Sequence, residues 1–286
     1  MPPIIADVAV ADGVALQTAQ WRGGERRPFL LVHGLASNWR TWEAVARRLH
    51  DRGHPVVAAD LRGHGRSSKP GQGYDFATLV DDLVALMRAC GLERPVVAGQ
   101  STGGNLAVEL AWRASGVVAG AVGVDGGVLE LQERWPVWDD CRDALAPPRL
   151  AGTPAARVRD GLRRAHPDWP EAGVAATLAN LEVLPDGTVR PWLTFDRHLA
   201  LLRALWEHRP SQLLPELPVP LLLLLADSGD DWTAVKRREA DRAVALAAAG
   251  AKAQWFSPGD HDLHVQRPGD VAEALAAAAD DGFLGP

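Results

Sequence analysis

Pro95-Val96-Val97-Ala98-Gly99-Gln100-Ser101-Thr102-Gly103-Gly104-Asn105-Leu106-Ala107-Val108-Glu109-Leu110-Ala111 runs from an apolar segment, through a glycine-flanked serine, into a helical pattern. This is strand, sharp turn and helix around G-x-S-x-G, the arrangement of a nucleophile elbow. Such a turn strains the backbone of its central residue, and the flanking glycines are needed where a Cβ would collide with the neighbouring strand and helix. Ser101 is therefore the candidate nucleophile, its Oγ standing clear of the sheet. The helix that starts there aims unpaired N–H groups and a positive dipole end at any developing oxyanion.

Outward from the elbow, apolar strands alternate with amphipathic helices. The pattern predicts strands over 28–32, 55–59, 95–98 and 117–124, and helices over 39–51, 76–90 and 105–113. Continuous apolar strands separated by such helices imply an α/β fold with a mostly parallel, doubly wound sheet covered on both faces. Upstream, the alternating segments 4–10 and 14–20 meet at Ala11-Asp12-Gly13 and read as an antiparallel hairpin. After Asp125 the alternation stops. It resumes at Pro218 with the leucine run 221–225, a helix over 234–249, a strand over 253–256 and a last helix over 270–279. The roughly ninety residues between are too many for a plain crossover. The expected organisation is a core of residues 1–127 and 213–286 with a helical cap, 128–212, inserted between two core strands.

Composition excludes several classes. A net charge of -6 offers no basic stripe, so no nucleic-acid partner is expected. The amino terminus meets Asp7 before any long apolar run, unlike a secretory signal, and the run 221–226 is too short to cross a bilayer. Cys90 and Cys141 form no C-x-x-C, so no disulfide framework or zinc site is indicated. These features predict a cytoplasmic protein, monomeric or homodimeric, that meets a small-molecule substrate and no membrane.

Serine at its free pKa is a poor nucleophile and requires a histidine held in one tautomer by an acid. His261 lies in Gly259-Asp260-His261-Asp262-Leu263-His264, between the last strand and last helix, where open α/β sheets build their sites. His264 is its rival and otherwise reads as a buried structural histidine. The H-x-x-H spacing lacks a second ligand group of suitable geometry, so no metal is expected. Gly34, in Leu31-Val32-His33-Gly34-Leu35, lets the backbone turn after a buried strand. The N–H groups of Leu35 and Thr102 are then the candidate oxyanion donors.

Together these pieces resemble the α/β-hydrolase superfamily over nearly the whole chain. His33-Gly34 matches its HG oxyanion turn, and Asp60-Leu61-Arg62-Gly63-His64-Gly65-Arg66-Ser67 matches its D-x-R-G-x-G-x-S loop. Residues 99–103 match the elbow, and His261 is followed seven residues later by Pro268, as is the family's catalytic histidine. Asp260 stands where the family usually has glycine, and Gln266 replaces a frequent glutamate. In most relatives the acid follows the strand after the cap, where this chain offers Asp227 and Asp230. Some, including certain haloalkane dehalogenases and zearalenone lactonases, carry it at the end of the preceding strand, the position of Asp125. Asp125 ranks first, then Asp230, then Asp227. Asp60 and Arg62 read as structural.

The resemblance implies a serine hydrolase of carboxylic esters or lactones that works without metal or organic cofactor. The cap tryptophans, Trp135 and Trp192 foremost, are expected to line an apolar pocket for a hydrophobic or aromatic substrate. A C–C hydrolase, a cofactor-free lyase, a perhydrolase and a non-catalytic small-molecule receptor share the constellation. Haloalkane dehalogenase and epoxide hydrolase chemistry is disfavoured, because those relatives use aspartate at the elbow.

Overall fold

The computed structural model describes residues 2–285. Eight strands form one sheet: β1 (Ile4–Ala11), β2 (Val14–Trp21), β3 (Phe29–Val32), β4 (Val56–Ala59), β5 (Val96–Gln100), β6 (Gly120–Val124), β9 (Leu221–Ala226) and β10 (Ala251–Phe256). A separate ribbon pairs β7 (Leu181–Val183) with β8 (Val189–Pro191). The sheet order is β1-β2-β4-β3-β5-β6-β9-β10. The hairpin β1–β2 and its junction with β4 are antiparallel; every later pairing is parallel.

Strand periodicity explains how two cores are fed at once. Phe29 and Leu31 of β3, Val96 and Ala98 of β5, and Leu222 and Leu224 of β9 join one cluster. Leu30 and Val32, Val97, and Leu221, Leu223 and Leu225 join the other. Because alternate side chains leave opposite faces, a strand apolar at every position must be covered twice. Helices α1 (Glu43–Asp51) and α12 (Pro268–Asp280) cover the first face, with Val45, Leu49, Val271 and Leu275 buried there. Helices α2 (Phe76–Ala89) and α3 (Thr102–Arg113) cover the second through Leu79, Leu83, Leu106 and Leu110. Each fully buried leucine contributes about 1.5–3 kcal/mol relative to exposure.

Between β6 and β9 the chain leaves the sheet. It forms α4 (Leu131–Arg134), α5 (Trp138–Leu145), α6 (Ala155–Ala165), α7 (Glu171–Leu178), the ribbon, α8 (Phe195–Glu207) and α9 (Pro210–Leu213). The insert thus carries a two-stranded ribbon besides its helices, where the sequence pattern predicts a helical cap. Leu184-Pro185-Asp186-Gly187 turns the ribbon, with Gly187 at φ +79° and Asp186 accepting from the Thr188 N–H. That Pro-Asp-Gly turn is the signal for the ribbon. Helices α10 (Asp231–Leu246) and α11 (Leu263–Gln266) complete the chain. No helix of the described residues is long and apolar enough to cross a membrane.

Candidate active site

The carboxyl ends of β3, β5, β6, β9 and β10 bring five loops to one edge of the sheet. Ser101 follows β5 at φ +52° and ψ -120°, a conformation that side chains adopt only when their surroundings impose it. The surroundings are backbone. A Cβ on Gly99 would lie 2.0 Å from the Gly103 carbonyl oxygen, and one on Gly103 would lie 2.4 Å from that of Val32. Close approach of β5, α3 and β3 therefore requires glycine at both positions. The Ser101 N–H donates to the Val124 carbonyl at 3.0 Å, which ties the elbow to β6.

Two buried imidazoles shape the loop after β3. His33 Nδ1 donates to the Gly34 carbonyl at 2.7 Å, and its Nε2 accepts from the Leu61 N–H at 3.0 Å. His64 Nδ1 donates to the Arg62 carbonyl at 3.1 Å, and its Nε2 accepts from the Ala36 N–H at 3.2 Å. Burial lowers both pKa values, that of His64 well below the usual range, which keeps each ring neutral with one donor and one acceptor. Ala36 is held at φ +56°. In this locked turn the Leu35 N–H, like that of Thr102 at the start of α3, donates to no protein acceptor among the described residues. Asp60 accepts from the Trp39 and Arg66 N–H groups, and Arg62 makes a bidentate pair with Asp82 at 2.6 Å, so both belong to the scaffold under this loop.

The three candidate acids part company. Asp125, at the end of β6, is 2% exposed, and its Oδ2 accepts from His261 Nδ1 at 2.7 Å. Its Oδ1 accepts from the Ala226 N–H at 2.9 Å. Asp230 instead caps α10, accepting from the Thr233 N–H and from Ser228 Oγ. Asp227 pairs with Arg237 at 2.9 Å and accepts from the Gly229 N–H. Neither is hydrogen-bonded to His261.

Lys236, on α10, is a residue that sequence reasoning missed. Its ammonium donates to Asp125 Oδ1 at 2.9 Å, to Oδ2 at 3.2 Å and to the Ala226 carbonyl, using all three of its protons. Desolvation opposes ionisation of Asp125, but His261, Lys236 and the Ala226 N–H outweigh it and lower its pKa. Desolvation likewise opposes the His261 imidazolium, yet the hydrogen bond and charge of Asp125 dominate and raise its pKa. The His261 carbonyl accepts from Gln100 Nε2 at 3.2 Å, fastening its loop to the elbow.

Ser101 and His261 line the same cavity of about 700 Å³, together with Leu35, Thr102, Asp125 and Lys236. Ser101 Oγ makes no hydrogen bond to the imidazole in this structure, a contact that free enzymes often tighten only around substrate. Leu129, Leu131, Leu145, Leu202 and Leu205 supply the apolar wall. The tryptophan on that wall is Trp232 at the start of α10, not Trp135 or Trp192. Trp135 packs on Trp232 with ring centroids 5.6 Å apart, and its carbonyl accepts from Trp206 Nε1. Trp192 sits beneath Lys69 and lines a different cavity. Both expectations for the Ser101 cavity are corrected accordingly. His264 is fully buried against Trp42 with ring centroids 4.5 Å apart, and desolvation pushes its pKa down to about 3. Asp260 pairs with His166 at 2.7 Å, away from His264.

The family model described as the alpha/beta hydrolase family matches residues 29–274. A 93-residue stretch is 37% identical to the AB hydrolase superfamily protein YisY of Bacillus subtilis (strain 168), covering 32% of this chain and 35% of that protein. Another of 148 residues is 33% identical to a non-heme chloroperoxidase of Streptomyces lividans, covering 49% and 54%. The chain thus spans about a third to a half of the length of these curated relatives. Among solved structures, E-2-(acetamidomethylene)succinate hydrolase superposes with a TM-score of 0.78 at 20% identity, over 97% of this chain and 99% of that one, a likeness of fold.

Proposed function

The chain belongs to the alpha/beta hydrolase family, and from that premise we propose that it is a serine hydrolase cleaving a carboxylic ester or lactone of a mainly apolar substrate. The observation that carries this is the 2.7 Å hydrogen bond from His261 Nδ1 to a buried Asp125, in a cavity that also holds a backbone-strained Ser101 and two idle amides. Fixing the Nδ1–H tautomer leaves Nε2 as the base.

His261 Nε2 takes the Ser101 proton as Oγ attacks the carbonyl carbon. The tetrahedral oxyanion accepts from the Leu35 and Thr102 N–H groups, each such donor being worth about 10²–10³ in rate. His261 then returns the proton to the departing alkoxide and Ser101 keeps the acyl group. Water, deprotonated by the same imidazole, attacks the acyl-enzyme, and collapse releases the acid and regenerates the serine. The insert between β6 and β9 acts as a cap that closes over this chemistry, and its leucines make the site selective for apolar groups.

The test is turnover of p-nitrophenyl esters and a lactone panel by wild type and Ser101→Ala. Loss of activity in the variant, by about 10⁴-fold or more, is expected when a triad nucleophile is removed. Equal turnover by the two proteins refutes the proposal. A second reading, interception of the same acyl-enzyme by hydrogen peroxide to give a peracid, draws support from the relative named chloroperoxidase. Peracid formation from ester and peroxide measures it.

A further inference from the structure

A second cavity of about 670 Å³ is lined by Ala36 and Ser37, the residues that follow the candidate oxyanion donor Leu35. Its wall is mainly apolar, with Leu150, Val158 and Leu162 from the insert facing Trp192, Leu193 and Phe195. Each of the two cavities falls within the range of about 300–1,000 Å³ that holds a small organic molecule.

The two spaces border one another through shared residues. His198 lines both. A small polar cavity of about 120 Å³ shares Leu35, Ser101 and His261 with the first, and Ser37, Thr177 and Asn180 with the second. Two polar atoms at these junctions, His198 Nε2 and Thr177 Oγ1, are buried and have no hydrogen-bond partner. His198 is only 7% exposed. An unpaired buried polar group costs about 1–3 kcal/mol, so native proteins keep few of them without a use. Desolvation lowers the His198 pKa. The ring is therefore neutral, with one donor and one acceptor nitrogen, and Nε2 is left without a partner.

We propose that the second cavity binds the other half of the substrate, so that the ester or lactone cleaved at Ser101 carries two bulky, mainly apolar arms, the second bearing a hydroxyl or amide group that hydrogen-bonds to the unpartnered nitrogen of the His198 ring. This rests on the hydrolase reading above and adds the substrate class to it. One arm lies against the leucine wall beside Ser101. The other passes Ser37 and Thr177 into the space beside Trp192. The expected role of Trp192 in substrate binding returns here, on the second arm.

The experiment uses two readouts. In the first, kcat/KM is measured for esters with one arm fixed and the other lengthened, then the reverse, in wild type and Val158→Trp. Each methylene buried on either arm is expected to raise kcat/KM about three- to fourfold in wild type. Val158→Trp narrows the second cavity, so the ratio of long-arm to short-arm kcat/KM falls in one of the two series and persists in the other. In the second, calorimetry measures 2-naphthol and naphthalene binding, independently of catalysis. Wild type is expected to prefer the naphthol roughly fivefold, the worth of one hydrogen bond, and His198→Phe to lose that preference. Thermal melts check that both variants are folded. If Val158→Trp alters neither ester series nor naphthol binding, the second-cavity proposal is overturned while the hydrolase reading stands. If no ester is cleaved in a Ser101-dependent way, the hydrolase reading falls, and weakening of naphthol binding by Val158→Trp, or its absence, then decides whether the second cavity is a ligand site.

Discussion

Replacing Lys236 by methionine keeps the apolar stem of the side chain and removes its charge and three hydrogen bonds. Lys236 and Asp125 are 6% and 2% exposed, so water cannot substitute for what is lost. Truncating one partner of a buried ion pair costs about 3–5 kcal/mol, more than the roughly 1 kcal/mol of a neutral hydrogen bond, because the surviving charge stays buried. His261 still faces Asp125 Oδ2 at 2.7 Å and compensates in part, which places the expected loss at the lower end. At about 2–4 °C per kcal/mol for a protein of roughly this size, the melting temperature should fall by roughly 6–12 °C. Activity should respond in a particular direction. Lys236 is one of the charges that lower the His261 pKa; Asp125 and Asp262 raise it, and His264, buried beside the loop, is neutral. Without the ammonium the imidazole holds its proton to higher pH. A general base works only when neutral, so the acid limb of kcat/KM moves upward. A raised His261 pKa contributes stability below its unfolded value, lost as pH rises through the folded one. The depressed Asp125 pKa contributes above the unfolded carboxylate value and is lost as pH falls through the folded one. Melting curves at pH 5, 7 and 9 and a pH–rate profile on a p-nitrophenyl ester read both effects. A melting temperature within about 2 °C of wild type, together with an unmoved acid limb, would refute the reasoning.

Asp125→Asn should lower kcat by about 10³–10⁴-fold with little change in KM, because the amide stabilises the wrong imidazole tautomer; Asp227→Asn and Asp230→Asn, whose partners lie elsewhere, should stay within about threefold of wild type. Steady-state kinetics on the three variants separates them. In wild type, kcat/KM should rise with pH through a His261 pKa that Asp125 raises above the ordinary imidazole value, and His264, held neutral, should add no second limb near neutrality. Arg62→Met leaves Asp82 buried and unpaired and should cost about 3–5 kcal/mol in urea unfolding, with no shift of the acid limb. Gly103→Ala drives a Cβ against the Val32 and His33 carbonyls and should cost about 3 kcal/mol or leave the protein unfolded, measured by the same denaturation.

The parts of this molecule that were legible in the sequence are those written in contiguous residues. The elbow glycines, the His33-Gly34 turn and the Asp60–Ser67 loop each encode a local backbone shape, and the apolar strands announce a sheet covered on both faces. The choice among three aspartates was harder, because it depends on which loop reaches His261; the position at the end of β6 was nonetheless visible as Asp125. Lys236 and His198 were not visible. Lys236 acts through Asp125, 111 positions away, and a lysine on an amphipathic helix gives no sign that its end is buried. The tryptophans failed for a related reason: Trp135 and Trp232 are equally bulky and apolar, and only the packing of α10 against the insert decides which faces the serine. The ribbon β7–β8 did leave a sign, the Pro185-Asp186-Gly187 turn, which two three-residue strands were too short to reinforce.

Mass spectrometry of the intact protein after exposure to a fluorophosphonate, followed by peptide mapping, asks whether His261 and Asp125 activate Ser101. One adduct on Ser101 is expected, absent in Ser101→Ala and formed at least about 10²-fold more slowly in His261→Ala. No adduct on Ser101, or one that forms equally fast without the imidazole, would mean that this serine is not a nucleophile served by that base.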